Sequence, residues 1–62
     1  MIEVSSKRFY EIIGPLDVTV TPVGDRYPYK TEFKLRNGVL VGYEEHGKHF
    51  VKKEYEGNGK VQ

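Results

Sequence analysis

Sixty-two residues allow one domain, close to the lower limit at which a core holds without disulfide or metal staples. The chain has no cysteine, which excludes disulfides and thiolate metal cages, and its 37% hydrophobic content includes no apolar run near the roughly 20 residues of a membrane span. Ten Lys/Arg against nine Asp/Glu leave a formal net charge of +1, too little for a protein held on duplex nucleic acid by phosphate contacts.

Met1-Ile2-Glu3-Val4 lacks the basic start and apolar middle of a secretory leader, so a soluble cytoplasmic protein is expected. "SSKRFYEIIGP" reads as a short helix. Ser5 is the N-cap, Val4 and Phe9 have the spacing of a hydrophobic staple, and Phe9, Ile12 and Ile13 share a face. Gly14 is expected in a left-handed closing conformation, and Pro15 cannot continue the helix. About nine residues of helix are not stable alone and must dock.

"LDVTVTPV" alternates with Leu16, Val18 and Val20 on one side. It reads as a strand, and Pro22, which lacks a ladder donor, puts it at an edge or ends it. The turn cluster "GDRYP" leads into "YKTEFKLR", a second strand, with Pro28 stiffening its start. Asn37-Gly38 is expected as a two-residue hairpin turn, and His46-Gly47 as another, giving the strands "VLVGYEE" and "KHFVKKEY". The fold expected is therefore α+β: a short N-terminal helix packed on a four-stranded antiparallel β-meander. Residues 1–56 form the domain, and the polar, glycine-rich residues 57–62 a flexible tail.

Those turns set a register in which Arg36 faces Val39, Leu35 faces Leu40, Phe33 faces Gly42, Tyr43 faces Phe50 and Glu45 faces Lys48. Opposed residues share a face. One face then carries Phe33, Leu35, Leu40, Val51 and Tyr55, with Gly42 making room beside Phe33. The other carries Val39, Val41, Tyr43 and Phe50, ringed by Lys34, Arg36, Lys48 and Lys52 and crossed by Glu32, Glu45 and Glu54. A single helix shields one face. Each large apolar side chain withdrawn from water contributes about 1.5–3 kcal/mol, so the second face calls for a partner: another copy of the chain, a foreign protein, or a flat anionic ligand.

Catalytic signatures do not emerge. His46 and His49 in "HGKH" fall on a turn and a strand, where convergence on a metal is not expected. No serine lies in a nucleophile elbow, and the glycine-rich phrases are too short to cradle phosphate. No cofactor is expected and no enzymatic activity. The informative cluster is cationic and aromatic: Arg26, Tyr27, Tyr29, Lys30, Lys34 and Arg36 lie close in sequence, a combination that stacks bases and neutralises phosphate. Interleaved glutamates weigh against non-specific nucleic-acid binding. The candidate binding residues are Arg26, Tyr27, Lys34, Arg36, Tyr43, Lys48, Phe50 and Lys52, with cations meeting phosphate or carboxylate and rings stacking or filling a pocket.

"IGPLDV", "YPYKTEF" and "LRNGVLVG", spanning Ile13 to Gly42, resemble phrases of small accessory proteins encoded by bacteriophages. The resemblance implies a host-takeover or anti-defence protein working in the host cytoplasm. Such a protein acts by binding, either blocking a host protein or sequestering a small anionic nucleotide signal as an oligomer. The phrases carry no functional signature, so no site residue follows from them. The alternative is a small single-stranded nucleic-acid-binding protein or a structural homo-oligomeric β module.

Overall fold

The computed structural model describes residues 1–26 and 30–58. It has one helix, α1 (Ser6–Ile13), and five strands: β1 (Ile2–Val4), β2 (Val18–Val23), β3 (Lys30–Leu35), β4 (Leu40–Glu45) and β5 (Lys48–Val51). A 3-10 turn follows at Lys53–Tyr55. All pairings are antiparallel, in the order β1-β5-β4-β3-β2. The α+β class stands, with five strands where four are expected. The additional strand is β1, whose Ile2, Glu3 and Val4 pair with Val51, Phe50 and His49. Three residues are too few for an alternation to be recognised, and β1 forms because β5 offers it an edge.

Helix α1 starts as its sequence dictates. The Ser5 hydroxyl accepts from the Arg8 N–H at 3.1 Å, and the Ser5 carbonyl from Phe9 N–H at 2.8 Å. Its end differs from expectation. Gly14 is right-handed (φ −53°), donating to Tyr10 O, and Leu16 N–H closes on Ile13 O. Lacking Cβ, Gly14 keeps the helical conformation ahead of Pro15, where other residues are pushed extended. Phe9, Ile12 and Ile13 are buried and meet Phe33, Val41 and Val51 from the sheet. Ile2, Val4, Leu16, Val18, Leu35 and Tyr55 close the margins of this core.

The hairpin between β3 and β4 departs from the expected two-residue turn. Gly38 N–H donates to Leu35 O (2.8 Å), and Leu35 N–H to Val39 O (2.8 Å). The turn therefore runs Leu35-Arg36-Asn37-Gly38, and only Gly38, at φ 90°, is left-handed. Asn37 Oδ1 accepts from Val39 N–H, spending the asparagine on a side-chain turn contact. Leu35 thus stands opposite Val39, and Lys34 opposite Leu40. The expected pairs Arg36–Val39 and Leu35–Leu40 do not form. A bulge then absorbs one residue, and Phe33 faces Gly42 as the alternation requires.

The consequence is an exchange of two residues between faces. Val41, expected on the second face, is fully buried under α1. Leu40, expected in the core, shares the other face with Lys34. Val39, also expected on the second face, sits at the hairpin tip and is 39% exposed. The β4–β5 hairpin matches expectation: His46 (φ 53°) and Gly47 (φ 76°) form the two-residue turn, with Glu45 opposite Lys48 and Tyr43 opposite Phe50.

Strand β5 stops at Val51, short of the expected run to Tyr55, because the chain turns at Lys53. This brings Tyr55 back to the core margin. Arg8 then clamps the following residues. Its Nη2 donates to Glu56 O (2.7 Å) and Asn58 O (2.9 Å), while Nη1 reaches Glu11 at 3.2 Å. Asn58, within the segment expected to be a tail, donates from Nδ2 to Ile12 O (2.8 Å). That carbonyl is one of those a helix end leaves free. Among the described residues, no helix is long and apolar enough to cross a membrane.

Candidate docking face

Strand alternation assigns the open side of the sheet. Cross-strand pairing places Glu3, Phe50, Tyr43, Glu32 and Thr21 in one row, crossing β1, β5, β4, β3 and β2 in turn. Lys48 and Phe50 share that face along β5, and Lys52, the residue after the strand, continues the alternation. Glu45 and Lys30 flank the row on one side, Leu40 and Lys34 on the other. Helix α1 and Tyr55 pack on the opposite side, so no described element covers this one.

At the centre the Tyr43 and Phe50 rings stack, centroids 4.9 Å apart and planes 23° from parallel. Lys30 Nζ lies 4.1 Å from the Tyr43 centroid. Tyr43 is therefore held on one ring face by Phe50 and on the other by a cation, and both rings are half-buried. Lys34 Nζ lies 3.3 Å from Glu32 Oε1, two residues away on the same strand face. The open face thus holds two stacked rings, Leu40 and, on β2 opposite Lys30, the exposed Val23, under a lattice of both charges.

Of the expected site residues, Lys34, Tyr43, Lys48, Phe50 and Lys52 come together here. Arg36 does not; it lies in the β3–β4 turn and pairs with Asp17. Arg26 is exposed in the β2–β3 connection, at the other end of β3. The two arginines are separated by about 17 Å of strand, so the cationic cluster of the sequence is divided in space. Tyr27 lies outside the described residues.

Two participants are not expected on this face from the sequence. Glu3 arrives on the unexpected strand β1, and Leu40 through the shifted turn. Lys30 was visible by alternation, two residues from Glu32, but its contact with Tyr43 crosses from β3 to β4.

The helix side carries one polar pair. His49 Nε2 lies 3.1 Å from Glu44 Oε2, and His49, 7% exposed, packs against Phe9 and Tyr10 at centroid distances of 5.1 and 6.0 Å. His46 is exposed in its turn. Among the described residues, no three His, Asp or Glu side chains group to hold a metal.

Compared with family models, curated proteins and solved structures, the chain matches none.

Proposed function

We propose that this chain acts by binding, docking its open sheet face on the flat surface of a folded protein, as a phage-type inhibitor that blocks a host protein would. The observation that carries the reading is the occupancy of Tyr43: Phe50 covers one ring face and Lys30 the other. A nucleotide base has no free side of Tyr43 to stack on, and Arg26 and Arg36 are too far apart to clasp one phosphate. A stiff aromatic pair ringed by hydrogen-bonding charges suits a protein surface, where a desolvated aromatic centre within a polar rim carries the affinity.

Photo-crosslinking tests this. With a benzophenone side chain at Thr21 or Lys52, on the open face, the protein expressed in bacterial cells should give one discrete protein adduct. The same group at Lys7, on the outer surface of α1, should give none, and Phe50→Glu should abolish the adduct. Equal labelling from all three positions would contradict the proposal. So would a nucleotide that raises the melting temperature in proportion to the logarithm of its concentration.

A further inference from the structure

The outer edge of β2 is a surface separate from the open face, and we infer that it pairs with the same edge of a second copy, joining two sheets into one. Strand β2 ends the sheet, and among the described residues no element pairs with its outer side. Which groups it offers follows from the β3–β4 turn. Leu35 directs its N–H to Val39 and its C=O to Gly38, both away from β2. Val18, opposite Leu35, is therefore in a non-hydrogen-bonded pair, and by alternation so are Val20 and Pro22, opposite Phe33 and Thr31. These three residues turn their backbone groups outward. Pro22 accordingly loses no ladder bond, and the edge offers the N–H groups of Val18 and Val20.

The strand itself selects the occupant. Edges that stay solitary are very short or carry charge. Strand β1, at the opposite edge, has three residues, one of them Glu3. Strand β2 has six residues without a charge, and Val20 on its helix side is 55% exposed. Antiparallel pairing about a two-fold axis through Thr19 sets Val18 of each copy opposite Val20 of the other. Every outward N–H then meets a valine carbonyl, and Pro22 falls outside the bonded pairs. An axis through Val20 would instead set Val18 opposite Pro22 and leave each Val18 carbonyl without a donor.

Side chains match in the same register. On the helix side each Val20 lies against the other copy's Val18. On the open side Thr19 faces Thr19 across the axis, and Asp17, just before the strand, faces Thr21, whose hydroxyl can donate to it. No like charges are directly opposed. Lys34 and Glu32 lie one strand further in, opposite Thr19 and Thr21. Glu32 is then about 10 Å from the other copy's Asp17, which already carries Arg36. A foreign strand would have to bring this complement, whereas β2 supplies it to itself. The axis is perpendicular to the sheet, so both helices stay on one side and the two open faces become continuous. The contact is narrow for an interface, so the dimer is weak and reversible.

Amide hydrogen exchange at about 50 µM and about 2 mM should show Val18 and Val20 protected at least about twofold more at the higher concentration. Thr19 and Thr21, bonded to β3, should not change. The chain has no cysteine, so introduced thiols report the register. Thr19→Cys, on the axis with α-carbons about 4.5 Å apart, should oxidise to a disulfide-linked dimer. Thr21→Cys, displaced from its copy by about 13 Å, should not. Thr19→Glu faces Lys34 within its own chain and a second carboxylate across the axis; it should keep the circular dichroism of the fold and weaken pairing about tenfold. Val18 and Val20 amides insensitive to concentration, or a Thr19→Cys disulfide no faster than that of Thr21→Cys, would overturn the inference. Adducts of a foreign protein at Lys52 do not involve this edge and would survive that failure. A dimer without such adducts would instead sink the reading of the open face.

Discussion

Gly42 shows how little room separates helix from sheet. It stands opposite Val51 and Phe33, and a methyl group on it would lie 3.1 Å from the Phe9 ring and 3.2 Å from Val51 Cγ1, with the Phe50 carbonyl nearer still. Backbone cannot yield as a flexible side chain can, so Gly42→Ala should cost about 3 kcal/mol, most of the stability expected at this size. Urea denaturation followed by circular dichroism would read it; a loss below 1 kcal/mol would show the strand free to move away. Gly38→Ala, in a left-handed turn position with no atom within 4 Å, should cost only about 1 kcal/mol. Arg8 is the other residue on which much depends, since two hydrogen bonds from its Nη2 fix Glu56 and Asn58 against α1, while Nη1 is held by Glu11. Arg8→Met, which keeps the stem, should lower stability by about 1–2 kcal/mol and release the Asn58 amide, bonded to Tyr55 O, to rapid hydrogen exchange.

At the scale of elements, the β3–β4 hairpin decides which residues are inside. The phrase "RNGVL" fits two loops, one with Asn37 and Gly38 both left-handed and one with Gly38 alone so. They differ by one residue at the start of β4, and the bulge confines the change of face to residues 39–41. Burial under Phe9 selects the second, because it delivers the β-branched Val41 to the core and the longer Leu40 to the open side. The helix cap, the edge strand with Pro22 and the His46-Gly47 turn were legible because each rests on local backbone chemistry. Strand β1, the loop choice and the 3-10 turn were not, because each is stabilised by residues distant in sequence: β1 by β5, Val41 by α1, and Tyr55 by the core. The docking face was half legible for the same reason. Its aromatic pair follows from a two-residue turn, whereas Glu3 and Leu40 depend on the long-range choices. Val41→Thr tests the loop assignment. It keeps shape and strand propensity but buries a hydroxyl, so it should cost about 1–3 kcal/mol; Val39→Thr, at the exposed tip, should be nearly neutral. Equal effects would restore the two-residue turn.

At the scale of the molecule, the described residues place one helix over one side of a five-stranded sheet and no element over the other, within extents of 41 × 25 × 16 Å. A net charge near zero leaves surface pattern, not overall field, to select partners. The account stands on that asymmetry: Val41 inside with Phe9, Ile12 and Val51; Tyr43, Phe50 and Leu40 on the free side. Side-chain NMR of dilute protein with a neutral soluble paramagnetic agent measures it directly. Tyr43, Phe50 and Leu40 signals should broaden strongly, while Phe9, Ile12, Val41 and Val51 stay sharp. Broadening of Val41 together with Tyr43, or protection of the Tyr43–Phe50 pair equal to that of Phe9 in the monomer, would contradict the account.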